Sequence, residues 1–229
     1  MKAKLILPIF LLAFSYCHAG DYDVEVGTFS KIKILGNFKL FLHAGDAEKV
    51  HISNNDSIVT DEGIIVEVSK GELSISIKGD NFHVHDKLVV DIWYKSITGI
   101  ELKRGAWMKF ETPVETDSLT LEIGTGGDIV GDVKCRSLFT TISKGGTMRI
   151  GGTSTTAKYK IFAGGEVYAP LMVSEDIYVE IRTGGDVTVT GKNILDVLIF
   201  SGGKVSYKGN PAKLVQDVKI AGEVKKLDK

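Results

Sequence analysis

Residues 123–130 read IGTGGDIV, and the phrase returns as FAGGEVY at 162–168, RTGGDVTV at 182–189 and FSGGKVSY at 200–207. Working outward from these copies, a small-residue doublet recurs at Gly105-Ala106, Gly126-Gly127, Gly145-Gly146, Gly164-Gly165, Gly184-Gly185, Gly202-Gly203 and Ala221-Gly222. Between second members the spacings are 21, 19, 19, 20, 18 and 19 residues. A period this regular marks a repeat architecture.

Alignment on the doublet exposes columns. Four residues before its second member stand Leu102, Ile123, Ile142, Ile161, Ile181, Ile199 and Val218; two after it stand Met108, Ile129, Met148, Val167, Val187, Val205 and Val224. With 43% of the chain hydrophobic, one fully apolar column of seven arises by chance roughly once in 400, so the columns are structural. Leu119, Leu138, Ala157, Ile177, Leu195 and Leu214 form a third.

Within a copy, apolar and polar residues alternate, as in Leu119-Thr120-Leu121-Glu122-Ile123. That is the period of a strand with one buried face. A unit of about nineteen residues cannot bury that face alone, whereas stacking copies about 4.8 Å apart does so. The expectation is an all-β fold, a parallel β-helix of about seven coils over residues 96–229. An antiparallel sandwich of hairpins would instead show a motif and its mirror, because successive strands reverse. No stretch shows a helical period.

Residues 20–95 are strand-like but lack the doublet. Ala44-Gly45-Asp46 reads as a hairpin turn between Phe29–Leu42 and Val50-His51-Ile52. Ser69-Lys70-Gly71-Glu72 reads as another, joining two alternating runs. This segment is expected to cap or extend the solenoid, since an open end exposes unpaired strand edges.

Residues 1–19 have the form of a signal peptide. Lys2 and Lys4 precede an apolar stretch from Leu5 to Phe14 that is too short to span a bilayer, and Cys17-His18-Ala19 offers small residues for cleavage before Gly20. Lipidation at Cys17 is the less favoured route, because Tyr16 stands where a small residue is needed. Cleavage removes two lysines and no acid, taking the formal charge from −1 to −3. With no basic tract and no second long apolar stretch, nucleic-acid binding and a transmembrane span are disfavoured. Cys135 is then the one remaining cysteine, and it reads as core filling rather than a nucleophile.

The coil endings quoted above, the late Tyr207-Lys208-Gly209-Asn210-Pro211, and the early FKLFLHAGD (38–46) and GELSISI (71–77) carry a resemblance. On them the chain resembles the putative auto-transporter adhesin head GIN domain family of exported bacterial proteins, over nearly all its length after the leader. Many members carry Gly-Ala-Gly or Ser-Gly-Ser-Gly at the corner, where this chain has a plain doublet. The resemblance implies a right-handed β-helix at the cell envelope with an adhesin-like role. It implies no catalytic motif and no cofactor.

Four residue groups are candidates for chemistry. The column after the doublet runs Trp107, Asp128, Thr147, Glu166, Asp186, Lys204, Glu223. Stacked carboxylates at Glu166 and Asp186 are what a polysaccharide lyase or glycosidase would need on an outer face. The plainer reading is a solvated face on which Lys204 neutralises both acids. His83-Val84-His85, with Asp80 and Asp86 nearby, places two imidazoles on one side of a strand, but no third metal ligand is signalled. His43 and His51 flank the presumed turn and match no motif. Finally, Lys103, Gly124, Ser143, Phe162, Arg182, Phe200 and Lys219 form an outward column. In it Phe162, Arg182 and Phe200 stack with the guanidinium between two rings, and Leu198 adds apolar surface. Such a row suits contact with a protein or glycan, unless the N-terminal segment covers it.

The leading expectation is therefore an exported, non-enzymatic, cell-envelope binding or adhesin-like protein that contacts its partner through Phe162, Arg182 and Phe200. The alternatives are a polysaccharide lyase or glycosidase on the Glu166–Asp186 face and a purely structural periplasmic module. No metal or cofactor is called for.

Overall fold

The structure is a computed structural model, and it describes residues 20–55, 59–79 and 83–227. The leader at 1–19, with Cys17, and Asp80 lie outside the described residues. The N-terminal strands are β1 (Asp21–Val24), β2 (Lys31–Leu35), β3 (Asn37–Ala44), β4 (Lys49–Asn54), β5 (Ile64–Ser69), β6 (Glu72–Ile77) and β7 (Val84–Tyr94). Then come β8 (Gly99–Lys103), β9 (Trp107–Phe110), β10 (Val114–Gly124), β11 (Asp128–Ser143), β12 (Thr147–Ala163), β13 (Glu166–Thr183) and β14 (Asp186–Ser201). The chain closes with β15 (Lys204–Lys208), β16 (Lys213–Val218) and β17 (Glu223–Lys226). Apart from a 3-10 turn at Asp61–Gly63, the described residues hold no helix. The whole is a nearly closed β-solenoid of about seven turns.

The three apolar columns are the ladder itself. Leu102 pairs with Ile123, Ile123 with Ile142, Ile142 with Ile161, Ile161 with Ile181, Ile181 with Ile199 and Ile199 with Val218, always in parallel register. Met108 begins an equivalent run through Ile129, Met148, Val167, Val187 and Val205 to Val224. All members of both columns except Val218 and Val224 are buried in one continuous core. Strands β11, β12 and β13 each leave a glycine corner, follow one sheet and skip a ladder pair at the bend (Arg136, Thr155, Glu175). They then return along a second sheet. Alternation places one apolar set inside for both sheets, so burial and backbone pairing impose the same register. Thr140, Ser154 and Ser174 place hydroxyls inside, and so does Tyr159, which is almost fully buried with a hydroxyl that has no hydrogen-bond partner. That is a cost the surrounding packing offsets.

The N-terminal strands both extend and cap the stack. β2 is inserted between β6 and β8, and β3 between β7 and β9, all parallel. Ile34 thereby prolongs the first column beyond Leu102, and Leu40 prolongs the second beyond Met108. The coil order in space thus departs from the chain order. The turn expected at Ala44-Gly45-Asp46 does reverse the chain, but it makes no hairpin: β4 pairs antiparallel with β7 and β1, and β7 lies between it and β3. Tertiary pairing overrides the local signal here because β3 already has parallel partners on both sides. The second expected hairpin forms, joining β5 and β6 through Lys70 and Gly71 at φ 50° and 76°.

The corners explain the doublet. At Gly184-Gly185 both residues have positive φ, 63° and 133°. A Cβ on Gly184 meets nothing within 4 Å, while one on Gly185 would lie 2.8 Å from Ile161 Cγ2 and 3.2 Å from the Gly165 carbonyl oxygen. The first glycine is needed for its dihedral angle, and the second also because the coil beneath passes so close. The spacings of 20 and 18 have a local cause as well: register shifts between Arg149/Gly151 and between Ala169/Val173 mark a bulge around Pro170 and Leu171.

The two glycines should therefore respond differently to substitution. Gly184→Ala is expected to cost about 1 kcal/mol for its left-handed backbone alone. Gly185→Ala should cost about 2–3 kcal/mol, since strain and overlap add. Denaturant unfolding of the two variants side by side measures the difference.

Candidate binding face

The sheet built from β8, the second halves of β10 to β14, and β16 turns its alternate side chains outward. On it Arg182, between Phe162 and Phe200, places its guanidinium carbon 5.2 Å from one ring centroid and 5.8 Å from the other. This is the stack expected from the sequence. Phe162 and Phe200 keep 42% and 39% of their surface exposed. The N-terminal strands sit at the other end of the solenoid, so they do not cover the stack.

A second ladder, not among the candidates drawn from the sequence, stands on the same face. Lys158 lies 5.6 Å from the ring centroid of Phe139 and 5.4 Å from that of Tyr178. Both rings are exposed at the surface. Phe139, Lys158 and Tyr178 occupy consecutive ladder positions, four residues before the Phe162 column. The column of polar residues between the ladders is tied together by Glu180, which accepts from Arg182 Nε at 3.0 Å and lies 3.4 Å from Lys160 Nζ. A depression of about 180 Å³ runs beside it, lined by Lys158, Lys160, Tyr178, Glu180, Asp196 and Leu198. Cations held over rings and exposed to water contribute about 0.5–1 kcal/mol each. Their value here is a flat, pre-ordered amphipathic surface. The second ladder's residues recur at the coil spacing, but they stand outside the columns next to the doublet and their cation is a lysine in a polar-looking stretch.

The acidic column behaves differently from its expected pairing. Glu166 and Asp186 are ladder neighbours, with Lys204 next and Glu223 beyond. Lys204 does not neutralise the two acids: its ammonium lies 3.8 Å from Glu223, while Arg149 reaches Asp128 at 3.0 Å and Glu166 at 4.0 Å. Among the described residues no three His, Cys, Asp or Glu side chains converge as a metal site. The two imidazoles of 83–85 do not share an environment: His85 is buried opposite Phe38, and His83 is exposed, with ring centroids 6.3 Å apart.

His43 and His51, which matched no motif, prove to be built into the sheet at the N-terminal end. His43 bonds Asp91 at 2.7 Å and stacks on Trp93 at 4.8 Å, and His51 bonds Asp23 at 2.8 Å. Hydrogen bonds from His51 and then Lys49 hold the Asp23 carboxyl below its ordinary range, which secures β1 to β4. Trp107 meets Phe41 edge-on at 5.7 Å on the same side. Alternation along β3 and β7 carried this signal, but the pairing of β3 with both β7 and β9 was needed to read it.

Cys135 is half-buried, and burial, aided by the charge of Asp117, pushes its thiol up to about 11. It packs partly buried against the core.

These features define a class: a β-solenoid displaying ordered aromatic–cation ladders on one flat face. The chain belongs to the family described as putative auto-transporter adhesin, head GIN domain, whose model matches residues 28–211. Its fold is similar to that of a putative adhesin from Bacteroides fragilis (TM-score 0.81, 21% identity, 90% of this chain and 96% of that one). It is also similar to a putative adhesin from Parabacteroides merdae (TM-score 0.73, 17% identity, 91% and 96%). A putative lipid binding protein from Parabacteroides distasonis follows (TM-score 0.69, 16% identity, 91% and 96%). No curated protein matches the chain.

The raised thiol has a direct consequence. Because the thiolate is the reactive form, Cys135 in the native chain should alkylate with iodoacetamide at pH 8 at least tenfold more slowly than in the unfolded chain, as mass spectrometry over time will show.

Proposed function

We propose that this chain is an exported, non-enzymatic binding protein of the cell envelope. It presents the sheet face carrying Phe162, Arg182 and Phe200 to a protein or glycan in an adhesin-like manner. The observation that carries the reading is the pair of exposed aromatic–cation ladders, fixed on a strand lattice in which neighbouring side chains have no freedom to drift apart. Ordering a loop-borne aromatic on binding costs side-chain entropy; here much of that cost is met on folding. Membership of the adhesin family and the leader-like residues 1–19 support the location. No helix among the described residues is long and apolar enough to cross a membrane.

The lyase or glycosidase alternative on Glu166 and Asp186 gains nothing from the geometry, since Arg149 already approaches Glu166. A structural module would need no exposed ladders.

A glycan array and a panel of purified extracellular proteins test the reading. Ligands retained by the native chain should bind at least tenfold more weakly to Phe162→Ser/Phe200→Ser. Tyr168→Ser, which alters an exposed ring on the other sheet, should leave them unchanged. Full binding by the folded double variant would remove this face from consideration.

A further inference from the structure

The two ends of the solenoid are finished differently. At the N-terminal end, β6 is covered by antiparallel β5 and β7 by antiparallel β4, with β1 beyond. At the other end, β16 pairs with β14 and β17 with β15, and among the described residues no strand pairs with their far edges. Core positions reach the surface there: Leu214 and Val218 are 37% and 39% exposed, though Leu195 and Ile199 just beneath them are fully buried, and Ile220 at the corner is 80% exposed. Such an edge is a template for another strand.

We propose that this end is closed by a second copy of the chain, related by a two-fold axis through the Ala221-Gly222 corner. The axis would lay β16 of each copy antiparallel on β17 of the other. The charge pattern selects this arrangement. With Val218 opposite Val224 of the second copy, inward positions face inward positions on both strands. Asp217 then stands opposite Lys225, and Lys219 opposite Glu223. Two-fold symmetry repeats each pair. A slip of two residues, which also keeps inward residues inward, opposes Asp217 to Glu223 in one direction and Lys219 to Lys225 in the other. A slip of one turns the valines outward. One register is therefore attractive, and its neighbours are repulsive or mis-faced.

Within the single chain, Asp217 lies 2.7 Å from Lys219 and Glu223 lies 3.8 Å from Lys204. All four side chains are about half-exposed, so they regroup at little cost. The contact buries the two edges and the exposed Val218 and Ile220, and it leaves the ladder face free on each copy.

Sedimentation velocity over a concentration series, on the chain purified from an exporting host, tests the proposal. The expected result is a reversible monomer–dimer equilibrium. Lys219→Glu, which sets Glu against Glu223 at both symmetric sites, should weaken it on the order of tenfold or more. Lys219→Glu/Glu223→Lys restores opposite charges across the axis, so dimerisation should return to within about threefold of the native chain. Unchanged thermal melting of the monomers verifies folding. A chain monomeric at every concentration would overturn the proposal and leave the edge to another occupant. So would a dimer that the single swap leaves intact, or one that the double swap fails to rescue.

Discussion

Everything in this molecule rests on one constraint: a coil of about nineteen residues can neither bury its apolar side chains nor satisfy its strand edges without another coil about 4.8 Å away. Parallel in-register pairing meets both needs together. Each inward residue sits on its equivalent, so Ile123, Ile142, Ile161, Ile181 and Ile199 form one uninterrupted apolar column. The closeness of that stacking dictates the corners. At Gly185 the turn passes so near Ile161 and the Gly165 carbonyl that only hydrogen fits.

The same constraint orders the outer surface. Side chains at equivalent outward positions are held one above another, and the sequence of each column decides what the face becomes. Where aromatic and basic residues alternate, as in Phe162, Arg182 and Phe200 or in Phe139, Lys158 and Tyr178, cations lie between rings. Where acids recur beside a base in the next column, as Asp128 and Glu166 do beside Arg149, ion pairs bridge the coils. The binding face and the acidic face are therefore two uses of one lattice. They differ only in which residues recur.

Stacking also makes the ends the weak points, and the chain treats them unequally. It folds its first strands back to insert β2 and β3 into the stack and to lay β4 and β5 across the far side. The last coil has no such cover among the described residues, and its charges are arranged in a self-complementary order.

The period, the three apolar columns and the outward direction of Phe162, Arg182 and Phe200 were all determined by the sequence alone. They are local in character: alternation and glycine placement repeat at every coil, so seven copies state the same rule. Only the tertiary structure decided what depends on contacts between non-equivalent segments. It inserted β2 and β3 between later strands, which turned the expected hairpin at Gly45 into a crossing over β7. It also left the ladder face bare, buried His85 while exposing His83, and gave Lys204 to Glu223 rather than to Glu166 and Asp186. A strand's own alternation says which way its side chains point. It says nothing about which strand lies beside it, because that choice is made by competition among all the edges the chain exposes.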